Sequence, residues 1–360
     1  MEKYRVGIVG ATGMVGQRFI SLLKDHPWFE VNCVAASARS AGKTYREAVG
    51  ERWAFSWEIP EKVAGMTVVD AADIDEVSKH VDFVFCAVDM KKDEIRALEE
   101  AYAKHEIPVV SNNSACRGIE DVPMVVPEIN ADHLAVIEAQ KKRLGTKNGF
   151  IAVKPNCSIQ SYVPALTPLL EFEPEKVSVC TYQAISGAGK TFKTWPEMVD
   201  NVIPYIGGED EKSENEPLKL WGHVEDGKIV NAALPVISAQ CLRVACSDGH
   251  MAAVSVSFKK KPTIEQIKER WANYETEAQR LELPSAPKPF LQYFEDPSRP
   301  QTRLDRDFQN GFGVSIGRLR EDSIFDWKFV GLAHNTLRGA AGGALESAEM
   351  LKALGYITKK

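Results

Sequence analysis

The stretch "YRVGIVGATGMVGQRFISLLKDHP", residues 4–27, constrains the fold of this chain more than any other. Val6, Ile8 and Val9 form the short apolar run of a buried strand, and Phe19, Ile20, Leu22 and Leu23 recur at helical spacing. Between them Gly10, Gly13 and Gly16 make G-x-x-G-x-x-G. A strand, a glycine turn and a helix in such close succession open a unit of a parallel sheet with crossover helices. The first half of the chain repeats the alternation. "FEVNCVAAS" reads as a second strand, "VDFVFCAVD" as a third and "IPVVSNNSA" as a fourth. The helix "KKDEIRALEEAYAKHE" lies before the fourth, and "FIAVKPN" reads as the last strand of this half.

After residue 157 the pattern changes. "KVSVCTYQAIS", "CLRVAC", "HMAAVSVSF" and "GVSIGRLRE" are strand-like, and "TIEQIKERWANYETEAQRL" is a helix. Strands grouped apart from helices predict an α+β second domain on a mixed or antiparallel sheet. "GGEDEKSENEP" and "LPSAPKPFLQYFEDPSRPQTRLDRD" read as long loops. "LAHNTLRGAAGGALESAEMLKALGY" reads as a glycine-rich turn feeding a helix. A length of 360 residues fits two domains.

A formal net charge of −6 argues against a general nucleic-acid-binding surface. The seven cysteines show no C-x-x-C and no zinc-type cluster with histidine, so no metal site is expected. The chain runs straight into a strand with no signal-peptide pattern, and no apolar run reaches membrane-spanning length. The expectation is a cytoplasmic protein with free thiols, without a membrane or nucleic-acid partner.

Small residues at 10, 13 and 16 let backbone approach a pyrophosphate whose charge sits against a helix N-terminus. A tight turn with close helix packing would use the same glycines. The end of the second strand adds a clue. A site for NAD usually carries Asp or Glu there, for the ribose hydroxyls. This chain reads "ASARSAGK", with Ser37, Arg39, Ser40 and Lys43. Two cations without a carboxylate suit a ribose 2′-phosphate, hence NADP; a solvated basic loop is the alternative.

In "KPNCSIQ", Cys157 follows Pro155-Asn156, and Asn156 could cap a helix beginning with "SIQSYV", which Pro164 would kink or end. A thiol in a first helical turn feels the positive end of the dipole, which favours thiolate. A buried packing cysteine fits the local residues as well. His250, after a glycine in "RVACSDGHMAAV", lies between two strand-like segments and could serve such a thiol. Thiol, imidazole and a nicotinamide cofactor together make a coherent chemistry: thiolate attack on an acyl carbon, then hydride exchange with proton transfer by histidine.

The stretches "GIVGATGMVGQRF", "ASARSAGK", "VVSNNSACR", "KPNCSIQ", "TYQAISGAGK", "ENEPLKLWG", "RVACSDGHMAAVSV" and "HNTLRGAAGG" together resemble aspartate-semialdehyde dehydrogenase over nearly the whole chain. The resemblance implies reduction of aspartyl β-phosphate to aspartate semialdehyde with NADPH, releasing phosphate, in lysine, methionine, threonine and isoleucine synthesis. It implies an α/β fold: an N-terminal Rossmann-type NADP-binding domain, and an α+β catalytic and dimerisation domain with a mixed sheet, as in glyceraldehyde-3-phosphate dehydrogenase. Residues 1–156 with 331–360 would form the first and 157–330 the second, and the chain would act as a homodimer or homotetramer.

By position, Cys157 resembles the nucleophile, His250 the acid/base and Gln183 the residue that orients substrate. Arg243 resembles the arginine on the substrate α-carboxylate. Glu216 resembles the reader of the ammonium, Lys219 a phosphate ligand and Arg117 the main phosphate-binding arginine. Gly10, Thr12, Gly13, Met14, Val15 and Gly16 would hold the cofactor with Ser37, Arg39, Ser40, Ser186, Gly187, Gly189 and Asn335. One anion and three cations complement an ammonium, a carboxylate and an acyl phosphate. Cys241 and Cys246, flanking Arg243, resemble the archaeal and fungal branch and read as packing residues. An acyl-CoA reductase, such as one acting on malonyl-CoA, would use the same cysteine and histidine; a non-catalytic NADP sensor would need no reactive thiol.

Overall fold

Short apolar runs buried on both faces are what a parallel sheet covered by helices requires, and the first half of the chain supplies five of them and a two-residue edge strand. In the computed structural model, which describes residues 2–360, they are β1 (Tyr4–Val9), β2 (Phe29–Ala36), β3 (Val69–Asp70), β4 (Phe83–Cys86), β5 (Val109–Ser111) and β6 (Ile151–Val153). Their order is β3-β2-β1-β4-β5-β6, and every pairing is parallel. The chain winds outward to one side through β2 and β3, then returns to the other side through β4. That reversal between β1 and β4 opens a crevice at the carboxyl ends of these two strands, the place where open α/β sheets bind ligands. The first helix, Met14–Leu23, covers β1 and β4, stacking Phe19 on Phe85 with ring centroids 4.2 Å apart.

The second sheet takes β7 (Pro174–Gln183), β8 (Val202–Ile203) and, after a separate hairpin of β9 (His223–Glu225) and β10 (Lys228–Val230), β11 (Val236–Val244), β12 (His250–Phe258), β13 (Leu291–Phe294), β14 (Val314–Glu321) and β15 (Trp327–Ala333). Its order is β13-β14-β15-β12-β7-β11-β8. β11 runs parallel to β7 and β13 to β14; the remaining pairs are antiparallel. Side chains alternate in and out along these strands. Val177, Val179 and Thr181 of β7 are buried, as are Ala252, Val254 and Val256 of β12. The opposite face carries exposed Tyr182 and Val236.

The C-terminal helix, Gly342–Ala353, returns to the first sheet and is buried over ten consecutive residues, including Glu346 and Glu349. β15 runs to Ala333, so the residue range 331–333 belongs to the second sheet. Two expected loops are structured. "GGEDEKSENEP" lies in the helix Glu209–Leu220, which begins after Gly208 in the left-handed region and has three acids in its first turn. Those acids suit the positive end of the helix dipole, and Pro217 is tolerated near the C-terminal end. Asp210 and Glu214 of this helix accept the backbone N–H groups of Cys241 and Ala239, satisfying β11 donors. The other expected loop contains β13 and a helical turn at Thr302–Asp305.

Candidate active site

Strand alternation builds one wall of the site. Arg243 pairs with Gln183 in the β11–β7 register, and His250 begins β12 opposite Ala333 of β15. All three polar residues therefore stand at one end of adjacent strands. Each is on the covered face and buried. Gly249, with φ of +95°, turns the chain into β12, and its N–H donates to Asn335 Oδ1 at 2.8 Å. Asn335 Nδ2 donates to Ser186 Oγ at 2.8 Å, so this side chain ties the 186–189 turn to the start of β12.

Cys157 lies between β6 and the second sheet. The expected helix is instead a single 3₁₀ turn, Ser158–Ser161, broken at Tyr162. Pro164 then falls at the start of the helical turn Val163–Leu166, where its missing N–H costs nothing. Asn156 Oδ1 accepts the N–H of Ser158 at 2.7 Å, a cap over the thiol's own turn. The Cys157 Sγ is 3.4 Å from His250 Nε2.

Two close approaches fix this geometry. A Cβ on Gly339 would come within 2.9 Å of the Cys157 Cβ. One on Gly187 would come within 2.8 Å of Arg243 Nη1 and 3.0 Å of His250 Nε2.

The protonation of the pair follows from its partners. His250 Nδ1 accepts the N–H of Ala184 at 3.0 Å. A neutral imidazole so held carries its proton on Nε2 and faces the sulfur as a donor. Burial, then Arg243, His334 and Lys154, holds the imidazole well below its ordinary range, so it is neutral near pH 7. The thiol departs from expectation. Burial pushes it up and Glu209 adds to this, while Lys154, Arg117 and Arg243 pull it back. One short 3₁₀ turn does not outweigh desolvation.

In front of the sulfur is a cavity of about 280 Å³. Of the expected site residues, Met14, Val15, Arg117, Cys157, Ser186, Gly187, Gly189 and Asn335 line it. Gln183, Arg243 and His250 stand behind its wall. Arg243 Nη1 donates to Ala184 O at 2.7 Å. Gln183 Nε2 donates to Glu209 Oε2 at 3.2 Å, and Asn156 Nδ2 donates to the same carboxylate. Glu209 stays ionised despite burial because Lys212, Asn156 and Gln183 surround it.

Two expected substrate residues are engaged with protein groups. Lys219 does not reach the cavity: its Nζ donates to the carbonyls of Arg117, Ile119 and Val122 at 2.7, 2.7 and 3.0 Å. Burial pushes this ammonium down to about 8, and the three carbonyls supply what solvent would. Glu216, one turn earlier on the same helix face, is committed to Arg117 Nη1 at 2.9 Å and to the backbone N–H of Asn156. It orients the arginine and the cysteine loop in place of facing open space.

A second cavity, about 540 Å³, lies at the crevice of the first sheet against Gly10, Thr12, Gly13, Ser37, Arg39 and Ser40. Lys43 and Arg52 add cations, and Asp89 is the one carboxylate on its wall. A Cβ on Gly10, with φ of +91°, would fall 2.3 Å from Ala87 O, so this position requires glycine. A Cβ on Gly13 would meet only Gly10 O, at an ordinary 3.6 Å. Gly16 lies outside the cavity: a Cβ there would meet Gly10 O at 2.3 Å, so it seats the helix on the turn. The first helix has neither a side-chain cap nor an acid in its first turn, which leaves its N–H groups for an anion. These residues fit a phosphate-rich dinucleotide; Met14 and Val15, next along the chain, line the thiol cavity.

Lys154, Asn156, Glu209, Asn112 and Arg18 escaped sequence reasoning. Lys154 and Asn156 stood inside "KPNCSIQ" itself, and Glu209 opens an acid-rich segment after two glycines; those adjacencies were the available signals.

The semialdehyde dehydrogenase NAD-binding domain family matches residues 5–137, and the semialdehyde dehydrogenase dimerisation domain family matches residues 166–338. Aspartate-semialdehyde dehydrogenase of Schizosaccharomyces pombe is 45% identical over 353 residues, 96% of this chain and 97% of that protein. Its counterpart from Archaeoglobus fulgidus is 42% identical over 351 residues, 97% of this chain and 98% of that one. The crystal structure of the Candida albicans enzyme with NADP superposes with a TM-score of 0.89 at 38% identity, over 99% of this chain and 100% of that one.

Proposed function

The chain belongs to the aspartate-semialdehyde dehydrogenase family, and from that premise we propose how its own residues carry out the reaction. It reduces L-aspartyl 4-phosphate to L-aspartate 4-semialdehyde with NADPH, releasing phosphate, in the biosynthesis of lysine, threonine, methionine and isoleucine. The observation that carries the assignment of roles is the 3.4 Å approach of His250 Nε2 to Cys157 Sγ, whose residue lines a cavity together with Met14 and Val15 of the first helix.

Cys157 is the nucleophile. Its thiolate adds to the acyl carbon, a C–S bond forms, and the C–O bond to phosphate breaks. The phosphate carries away the one proton the overall reaction consumes. NADPH, when bound, supplies the hydride that reduces the resulting thioester. The oxyanion then collapses, expelling the Cys157 thiolate and releasing the aldehyde. His250 stands at both charges: its Nε2 meets first the sulfur, then the oxyanion, which suits the acid/base role expected from sequence, while Nδ1 holds the Ala184 N–H.

Arg243 and Gln183, buried behind the cavity wall, are assigned to the substrate carboxylate end, and Arg117, on the lining beside Asn112 and Ser114, to the phosphate end. Gly10, Thr12, Gly13, Met14 and Val15 would hold the cofactor pyrophosphate, with Arg39, Ser37, Ser40 and Lys43 on the 2′-phosphate. The uncovered face of the second sheet, with Tyr182 and Val236 exposed, supports a homodimer through that face. Seven cysteines, all unpaired, suit the reducing cytoplasm. Among the described residues no helix is long and apolar enough to cross a membrane.

The test is a phosphate-dependent assay with aspartate semialdehyde and NADP on wild type and Cys157→Ser. Turnover is expected to fall by roughly 10⁴-fold or more, because the covalent intermediate is lost. A variant retaining a tenth of the activity would overturn the assignment, as would equal activity with arsenate-free, phosphate-free buffer and coenzyme A.

A further inference from the structure

One cation on the thiol cavity has no part in the chemistry assigned so far. Arg18 stands one turn after Met14 on the first helix, and both side chains line that cavity with Ser186 and Thr336. Arg18 is half-buried. Its one protein acceptor among the described residues is Thr336 Oγ1, 3.2 Å from Nη2, on the turn after β15. Its Nε is enclosed with no acceptor. Asp248 and Asp307 act on the guanidinium only across space, and burial outweighs them. A guanidinium stays charged at any working pH. This one therefore keeps N–H groups in want of an acceptor where a ligand enters.

Its pose is held by a mount. The guanidinium lies over the Phe55 ring, 4.1 Å from the centroid, with the Trp57 ring at 5.6 Å. The two rings stack on each other at 4.6 Å and 4°. They belong to a strap, residues 50–58, that the first helix ties down. Gln17 Oε1 accepts the Ala54 N–H at 2.8 Å, and Gln17 Nε2 donates to the carbonyls of Thr12 and Arg52 at 3.0 Å each. Trp57 Nε1 donates to Ser21 Oγ at 3.0 Å. The strap passes both ligand sites. Arg52 lines the crevice of Arg39 and Lys43. Phe55 lines a cavity of about 180 Å³ that has Met14, Arg18, Ser186 and Thr336 in common with the thiol cavity. A guanidinium plane fixed by stacking on an aromatic face is set to meet a planar acceptor.

On the reading that the crevice and the thiol cavity hold NADP, we propose that Arg18 is a binding residue for the nicotinamide half: its free guanidinium edge donates to the carboxamide oxygen, and its charge favours the neutral reduced ring over the cationic oxidised one. Two cations repel in a site sheltered from water, whereas the reduced ring carries no charge to repel. The adenosine half, assigned to the far crevice, is outside the reach of this side chain. The strap acts through Arg18, as a positioning element that keeps the guanidinium plane in place.

The experiment is a binding measurement without turnover. Quenching of tryptophan fluorescence, to which Trp53 and Trp57 on the strap contribute, and calorimetry give dissociation constants for NADPH, NADP⁺ and 2′,5′-ADP, which lacks the nicotinamide half. The proteins are wild type, Arg18→Met and Arg18→Lys. Arg18→Met is expected to weaken NADPH about tenfold, the worth of one charged hydrogen bond. It should weaken NADP⁺ only about twofold, because repulsion is lost along with the bond, so the preference for the reduced form falls about fivefold. The three proteins should bind 2′,5′-ADP equally, which also shows that each is folded. Arg18→Lys keeps the charge and loses the planar fork, so the preference should return while NADPH stays weakened. An unchanged preference in Arg18→Met, or an equal loss for all three ligands, would overturn the proposal.

Phe55→Leu serves where Arg18→Met does not fold. With its plane unsupported, the guanidinium should hold NADPH several-fold less tightly and leave 2′,5′-ADP as before; unchanged NADPH binding would refute the mount. Wild type that failed to bind 2′,5′-ADP would instead sink the NADP reading, a result distinct from any difference between variants.

Discussion

At the scale of single residues, the site divides into side chains that motifs announce and side chains that only packing reveals. Cys157, His250 and the glycines at 10 and 13 stand in stretches whose spacing carries chemistry. Glu216 and Lys219 stood in a matching stretch too, but the segment leading to them reads as a loop and is the helix Glu209–Leu220, which sets both on one face. What that face meets was not legible. It meets Arg117 and three carbonyls, because a buried ammonium takes the nearest acceptors. Arg39 provides a test of the cofactor reading at this scale. It is exposed on the second cavity and makes no ion pair among the described residues. Arg39→Ala is expected to raise the KM for NADPH about tenfold, the worth of one charge-assisted hydrogen bond. Steady-state kinetics should show no such change with NADH, which lacks the 2′-phosphate.

At the scale of elements, five strands of the first sheet were legible because burial leaves apolar runs, and the two-residue edge strand Val69–Asp70, half-buried, was not. Nor was the helix Glu209–Leu220. It contains a proline and five acidic residues, and its stability comes from tertiary partners: Asp210 and Glu214 serve β11, and Glu209 serves Asn156 and Gln183. Propensity is a weak guide where such partners decide. β15 shows the opposite case, a strand whose glycine has a definite duty. A Cβ on Gly331 would lie 1.8 Å from Ser161 O, at the end of the 3₁₀ turn that follows Cys157. Gly331→Ala must push that turn away. We expect a loss of about 1–3 kcal/mol, typical of overpacking, measured by denaturant unfolding. The alkylation rate of Cys157 should fall with it, since the sulfur moves with its turn.

For the whole molecule, buried histidines set the response to acid. His250 is held neutral well below its ordinary range, His334 is pushed down to about 4, and His133 is lowered by burial. Below about pH 6.5 the unfolded chain binds protons that these folded rings refuse, so stability falls with pH. The decline continues until the folded rings titrate, and His334 alone contributes on the order of 3 kcal/mol across that window. Thermal melts from about pH 7 to pH 4.5 should show a steady drop in Tm. A flat profile would mean that these rings are charged in the fold. The uncharged His250 also explains why activity should persist toward alkaline pH without needing its deprotonation.

The chain crosses between the two sheets twice, once after β6 and once between β15 and the C-terminal helix. The first crossing carries Cys157 and the second carries Gly339, and the two touch. A pair of hinges sharing one point makes a pivot, and here the sulfur sits at its axle. Rocking one half of the molecule against the other would widen or narrow the rims that admit ligands, while the reacting atom, at the centre of rotation, moves least.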